Sequence, residues 1–227
     1  MRISKAVVGA VVVACAGVAD GAEPAGAQSV HTWALALDAD GKVADITPYG
    51  GAHGAAARRL ERDIGGWVFA TADAEGGPSL TYLRVVVAAD ASGAPEVVSA
   101  TTGPAPQRLS QPDFPMRDQL AGREGMVVLE LDVDADGRVS DAGVHATSGD
   151  VSRAMAEAAV AAARDWTFAT ERVGERSVAA RMLWPVCYLG AGSTATACSW
   201  VGPDAQRFSS KTVLPLDPTV RLVSQAD

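Results

Sequence analysis

The chain has 227 residues, 48% of them hydrophobic, with 19 Lys and Arg against 27 Asp and Glu for a formal net charge of -8. That length accommodates one large domain or two small ones, and the apolar content excludes a fibrous or wholly disordered chain. The acidic balance has the wrong sign for a surface that neutralises phosphates, so nucleic acid is not the expected partner.

Arg2 and Lys5 precede an apolar run from Ala6 to Ala19 that is broken by Asp20, Gly21 and Glu23. A charged start with a short apolar middle is the pattern of a secretory signal, and the run falls short of the roughly 20 residues a spanning helix needs. Residues 1–27 therefore read as a signal, cleaved after Ala25-Gly26-Ala27 or after Gly17-Val18-Ala19. Val12-Val13-Ala14-Cys15 leaves a third outcome open, because it resembles a bacterial lipobox in which Cys15 is lipidated and anchors the mature chain.

A first unit is expected over residues 28–90. Trp33, Leu35 and Leu37 alternate as in a half-buried strand, Asp38-Ala39-Asp40-Gly41 supplies a hairpin turn, and Lys42-Val43-Ala44-Asp45 returns. Ala57, Leu60 and Ile64 form one stripe of a helix over Ala55 to Ile64. Trp67-Val68-Phe69 leaves that helix, and Thr81 to Ala88 alternates as a further strand, Tyr82, Arg84 and Val86 opposing Leu83, Val85 and Val87. Residues 91–111, rich in Gly and Pro, read as a linker that carries one strand near Glu96 to Ala100.

The same pattern returns over residues 112–202. Val127, Leu129, Leu131 and Val133 alternate, Asp134-Ala135-Asp136-Gly137 turns the chain, and Val139 to Val144 resumes. A helix follows over Val151 to Trp166, capped by Ser148, Asp150 or Ser152, and Trp166-Thr167-Phe168 leaves it as Trp67 and Phe69 do in the first copy. Arg176 to Tyr188 reads as a third strand, with Pro185 at its end or on an edge. The turn glycines Gly41 and Gly137 lie 96 positions apart and the tryptophans Trp67 and Trp166 lie 99 apart, which argues for duplication. The expected fold is α+β: two tandem two-layer units in the order strand, strand, helix, strand, each a three-stranded antiparallel sheet with one helix on one face. Trp67, Phe69, Trp166 and Phe168 are expected to lock helix onto sheet. Residues 203–227 read as a tail.

If the signal is removed or Cys15 lipidated, Cys187 and Cys198 remain as an even pair in an exported protein and are expected to form a disulfide. Sites for chemistry fail on inspection. Asp132-x-Asp134-x-Asp136-Gly137 begins like a calcium loop, but position twelve is Gly143 where a bidentate carboxylate is required. His31, His53 and His145 are scattered, and neither a nucleophile elbow nor a phosphate-cradling glycine loop occurs. No catalytic residue, metal or cofactor is expected, and an unrecognised hydrolase stays a minor alternative.

Pro112-Asp113-Phe114-Pro115, Gly122-Arg123-Glu124-Gly125, the Asp134-to-Val139 turn, Ser148-Gly149, Trp166-Thr167-Phe168 and Pro185-Val186 occur in that order. In this the stretch from about Pro112 to Tyr188 resembles the C-terminal domain of the TonB family, and the first copy is a degenerate version of it. The resemblance implies a periplasmic module, soluble or lipid-anchored, that pairs with a peptide of an outer-membrane receptor by adding a strand to its sheet. It places the docking edge on the strand after the helix: Ser177, Val178, Ala179, Ala180, Arg181, Met182, Leu183 and Trp184. Neither a spanning anchor nor a long proline-rich reach is evident, so the expected role is a non-enzymatic interaction module of the cell envelope rather than a force transmitter. The competing expectation is an envelope or stress-related scaffold whose edges are closed by the other copy, by a second chain in a homodimer or by the Cys187–Cys198 loop.

Overall fold

The computed structural model describes residues 28–50, 54–71, 78–89, 95–193, 198, 200 and 209–225. The signal readings, Cys15 and His53 lie outside the described residues. In chain order the elements of the first half are β1 (Gln28–Leu37), β2 (Val43–Tyr49), α1 (Ala55–Ile64), β3 (Val68–Thr71), β4 (Ser79–Ala89), β5 (Pro95–Gly103) and β6 (Ala105–Arg108). There follow α2 (Met116–Leu120), β7 (Gly125–Val133), β8 (Val139–Gly149), α3 (Arg153–Ala163), β9 (Thr167–Ala169), β10 (Arg172–Val173), β11 (Arg176–Ser177), β12 (Ala180–Tyr188), β13 (Leu214–Pro215) and β14 (Val220–Ser224).

These strands do not divide into two three-stranded units, which corrects the fold expected from the sequence. Four sheets form among the described residues. One has six strands in the order β11-β10-β4-β1-β2 with β5 also on β4, and one has four in the order β13-β12-β7-β8. The other two are pairs, β14 with β3 and β6 with β9. The six-stranded sheet thus takes β10 and β11 from the second half of the chain. The expected third strand over Arg176 to Tyr188 is split: Arg176–Ser177 belongs to that sheet, and Ala180–Tyr188 to the four-stranded one.

The two-strand pairs explain the rearrangement. β3 and β9, four and three residues long, each meet their own half at one bridge, Lys42↔Val68 and Arg138↔Thr167, and their other side is paired from elsewhere. β5 pairs with β4, then runs on as β6 to pair with β9 of the second half. β13 pairs with β12, and the chain then continues to β14, which pairs with β3 of the first half. Each half hands a strand to the other. The stretch expected as a tail therefore supplies two strands.

Local features do recur within this exchanged architecture. Gly41 and Gly137 both have positive φ, 76° and 79°, at the hairpin turns. Each turn carbonyl accepts from the exit strand: Phe69 N–H donates to Gly41 O at 2.8 Å and Phe168 N–H to Gly137 O at 2.7 Å. A side chain on either glycine would strike the Phe69 or the Phe168 carbonyl, since a Cβ would lie 1.8 Å and 2.0 Å from those oxygens. Trp67, Phe69, Trp166 and Phe168 are all buried, the first pair beside Leu60 and Ile64 and the second beside Met155, Ala159 and Ala163. Trp166 also donates its indole N–H to Ser110 O at 2.8 Å and meets Trp184 edge to face at 5.9 Å between centroids.

Strand β7 departs from the simple alternation read in its sequence, because residues 125–129 are buried on both faces. Val127 and Leu129 face α3, while Met126 and Val128 pack with Leu183, Cys187, Leu189 and Cys198 beneath the disulfide loop. Ser152 caps α3, accepting from Met155 N at 3.2 Å, and its hydroxyl donates to the buried Asp118 on α2 at 2.8 Å.

Two substitutions test this packing. Trp166→Ala should cost about 3 to 5 kcal/mol in a denaturant melt through an unfilled core site, and a loss under about 1 kcal/mol would contradict its placement. Gly137→Ala should destabilise by about 2 kcal/mol or more, whereas Gly143→Ala, where an added Cβ meets nothing within 4 Å, should be neutral or slightly stabilising.

Candidate peptide-docking edge

β12 is buried on both faces because its side chains alternate between two cores. Met182, Trp184, Val186 and Tyr188 join the core under α3; Leu183 and Cys187 join the smaller core under the disulfide loop. On one side it pairs with β7 along its whole length, from Ala180↔Val133 to Tyr188↔Gly125. Pro185 sits inside this strand opposite Val128, not at its end. Tyr188 is fixed by donating its hydroxyl to Met155 O at 2.7 Å and by an edge-to-face contact with Phe114. Burial raises its pKa, so it stays a neutral donor.

The eight residues expected to form the docking edge fall into three settings. Ser177 pairs with Arg172 in the six-stranded sheet, and Val178 donates its N–H to Glu171 O at 3.0 Å. Ala179 lies in the connection between β11 and β12. Ala180, Arg181, Met182, Leu183 and Trp184 lie in β12, the strand that adjoins the four-stranded sheet's outer ladder.

That outer ladder is made by the C-terminal segment. Met182 and Leu183 pair with Pro215 and Leu214, and Leu216 N–H donates to Arg181 O at 2.8 Å. Upstream of β13, Val213 is buried in the core beside Trp184, and Lys211 O accepts from both Nε and Nη2 of Arg84 at 3.2 and 3.1 Å. The Lys211 ammonium also bonds to Gln28 O. Arg84 stacks over the Trp184 ring, 5.7 Å from its centroid. Tyr82, Arg84, Pro106, Met182, Trp184 and Pro215 line a half-open cleft where the two halves and this segment meet.

Charge reinforces the seating at its other end. Arg181 binds Glu130 at 2.6 Å, Asp132 at 3.1 Å and Asp217 at 3.4 Å, all exposed. Solvent screening keeps each such pair weak, so the bridge to Asp217 orients the segment more than it holds it. Sequence reading missed this cover, although Val213-Leu214-Pro215-Leu216 and Val220-Arg221-Leu222-Val223 are apolar enough to be strands.

The loop at the far end of β12 is tied twice. Cys187 and Cys198 form a disulfide with Cα atoms 5.9 Å apart. The Glu124 carboxylate accepts from Ser193 Oγ and, at 2.7 Å, from Gly190 N–H, and these bonds hold its pKa below the usual carboxylate value.

Two of the sheets' outermost strands, β2 and β8, are less suited to receiving a peptide. β2 pairs with β1 through a bulge at Ala36/Leu37 and carries Pro48, while β8 pairs with β7 through bulges at Val128/Leu129 and Asp132/Val133. Bulges and prolines are the usual means of blunting a sheet edge. The Asp-x-Asp-Gly turns spend their carboxylates on their own backbone: Asp38 Oδ1 accepts from Asp40 and Lys42 N–H, and Asp134 Oδ1 from Arg138 N–H. Among the described residues, no three His, Cys, Asp or Glu side chains gather as a metal site would require. His31 contacts Ser29 and Trp33, and His145 lies 3.7 Å from Glu130.

Residues 110–189 match the family model for the Gram-negative bacterial TonB protein C-terminal. This segment holds α2, β7, β8, α3 and β12, so the region most like that family is the one that carries the candidate edge. The chain is 33% identical over 89 residues to the protein TonB of Xanthomonas campestris pv. campestris in two strains. The alignment covers 39% of this chain and 39% of each relative, so the chain spans about two fifths of the length of the curated relatives it matches.

The disulfide is expected to stabilise the described fold by about 3 kcal/mol. Cys187→Ser should lower the denaturant midpoint accordingly, and reduction of the parent protein should reproduce the shift; an unchanged midpoint in both would show that the loop is held without it.

Proposed function

We propose that the chain is an exported protein-interaction module of the bacterial cell envelope that binds an extended peptide by strand addition at β12. The observation that carries this is the cover on that strand. β12 is backed by a full ladder to β7, yet its outer side is paired with a two-residue strand followed by a screened ion pair, while β2 and β8 are blunted by bulges. A peptide that takes the place of Leu214–Leu216 inherits the Met182 and Leu183 pairings and the Arg181 carbonyl, and main-chain bonds of this kind give affinity with little demand on sequence.

The role is a binding one and requires no cofactor. Its setting is the periplasm, supported by the export-type N-terminus, the disulfide and the likeness of residues 110–189 to a TonB C-terminal segment. A lipid tether through Cys15 belongs to the same proposal. Residues 112–202 are the interacting part, and residues 28–90 brace it through the exchanged strands.

A second reading follows from the same cover: if the C-terminal segment never leaves β12, the chain is a closed envelope scaffold. Titration of the full mature chain with synthetic peptides copying periplasmic segments of outer-membrane receptors distinguishes the two. Amide resonances of Arg181 to Trp184 and of Val186 should shift, with micromolar affinity, and Leu214→Asp, which weakens the cover, should tighten binding several-fold. Shifts confined to β2 or β8, or no binding by either form, would overturn strand addition at β12 and leave the scaffold.

A further inference from the structure

Among the described residues six buried side chains are polar or charged, and four of these, Ser79, Thr81, Thr102 and Glu171, gather along the seam where the two halves exchange strands. Ser79 and Thr81 are on β4, Thr102 is on β5, and Glu171 stands between β9 and β10. Glu171 is 2% exposed. Its carboxyl accepts the Thr81 hydroxyl at 2.6 Å and the backbone N–H of Thr219, the residue just before β14. One position further on, the Val220 carbonyl accepts the Thr102 hydroxyl. The crossing from β13 to β14 is therefore gripped at two successive residues, once from the second half and once from the first.

We propose that Glu171 is an acid-tightened latch that holds the C-terminal crossing, and with it the cover on β12, against the first half of the chain. The physical basis is the mismatch between a carboxylate and its surroundings. Two hydrogen bonds favour the charged form, but burial opposes it more strongly and pushes the pKa up to about 7. The elements packed around it carry Tyr82 and Arg84 on β4, Arg172, Glu175 and Arg176 on the β10–β11 hairpin, and Asp217 and Arg221 on the C-terminal segment. Burial, rather than a neighbouring charge, is the largest cause of its shift.

The sign follows from linkage. An exposed glutamate titrates near 4.5, so a state in which the crossing has opened and Glu171 is wetted binds fewer protons than the closed state between about pH 4.5 and 7. The closed state is favoured fully below that window. Opening grows by up to about tenfold per pH unit through it and levels off above pH 7. The cover is thus loosest at neutral pH and firmest in acid. This reading stands apart from peptide binding, because the latch acts on the free chain.

Hydrogen exchange of the full mature chain tests it, with rates corrected for the intrinsic pH dependence of exchange. Protection of the amides from Thr219 to Ser224 should fall by about fortyfold from pH 5 to pH 7 in the parent. In Glu171→Gln, which keeps the shape and an acceptor but cannot ionise, the same amides should show a flat profile. Thr81→Val removes a bond that favours the carboxylate and should move the midpoint to higher pH. Superimposable profiles for the parent and Glu171→Gln, or an unmoved midpoint in Thr81→Val, would overturn the latch and leave strand addition at β12 untouched. Loss of peptide binding with an intact pH profile would do the reverse.

Discussion

The constraint on which the structure depends is the hydrogen-bonding need of two very short strands. α1 and α3 are each followed by a Trp-x-Phe exit that buries two aromatic rings, and the three or four residues there have backbone groups that must be paired. Within its own half each exit strand meets only one bridge among the described residues, Lys42↔Val68 or Arg138↔Thr167. The exit strand of each half is completed by chain that has just left the sheet of the other, β14 on β3 and β6 on β9. The exchange goes together with the other crossings between halves: the six-stranded sheet that takes β10 and β11, the polar seam, and the C-terminal segment lying along β12.

This exchange sets the balance at the candidate site. A strand edge open to any peptide is also open to aggregation, and β2 and β8 are blunted by bulges. β12 is managed differently. It is covered by the chain's own crossing, which is short where it pairs and is anchored beyond the pairing at Glu171 and Thr102. The cover on β12 and the grip at the seam are therefore made by one segment, residues 209–224.

Much of the local structure was legible. Asp-x-Asp-Gly demands a turn with a positive-φ glycine, and both turns formed with the carboxylate folded back onto the backbone. The stripe of Ala57, Leu60 and Ile64 foretold α1 to the residue, because periodicity and burial agree there. The Cys187–Cys198 disulfide is expected from an even count in a chain read as exported, and it forms. The run through Arg176 to Tyr188 misled, since its apolar residues continue across a change of sheet that leaves no mark on the pattern. β7 misled in the opposite way: its alternation is real, but the second face is covered by a loop distant in sequence.

By itself the sequence determined where hairpins turn, where α1 and the body of α3 lie and which rings leave them, because each depends on residues within a few positions of one another; the short α2 left no such pattern. It also marked the stretch with the TonB-type pattern. Only the tertiary structure decided which strand lies beside which, and so whether the edge of β12 is bare or covered. A period of two tells which face of a strand is apolar, but its hydrogen bonds run sideways to a neighbour that pattern does not name. For β3, β9 and β12 that neighbour came from the far half of the chain or from beyond the family-like segment.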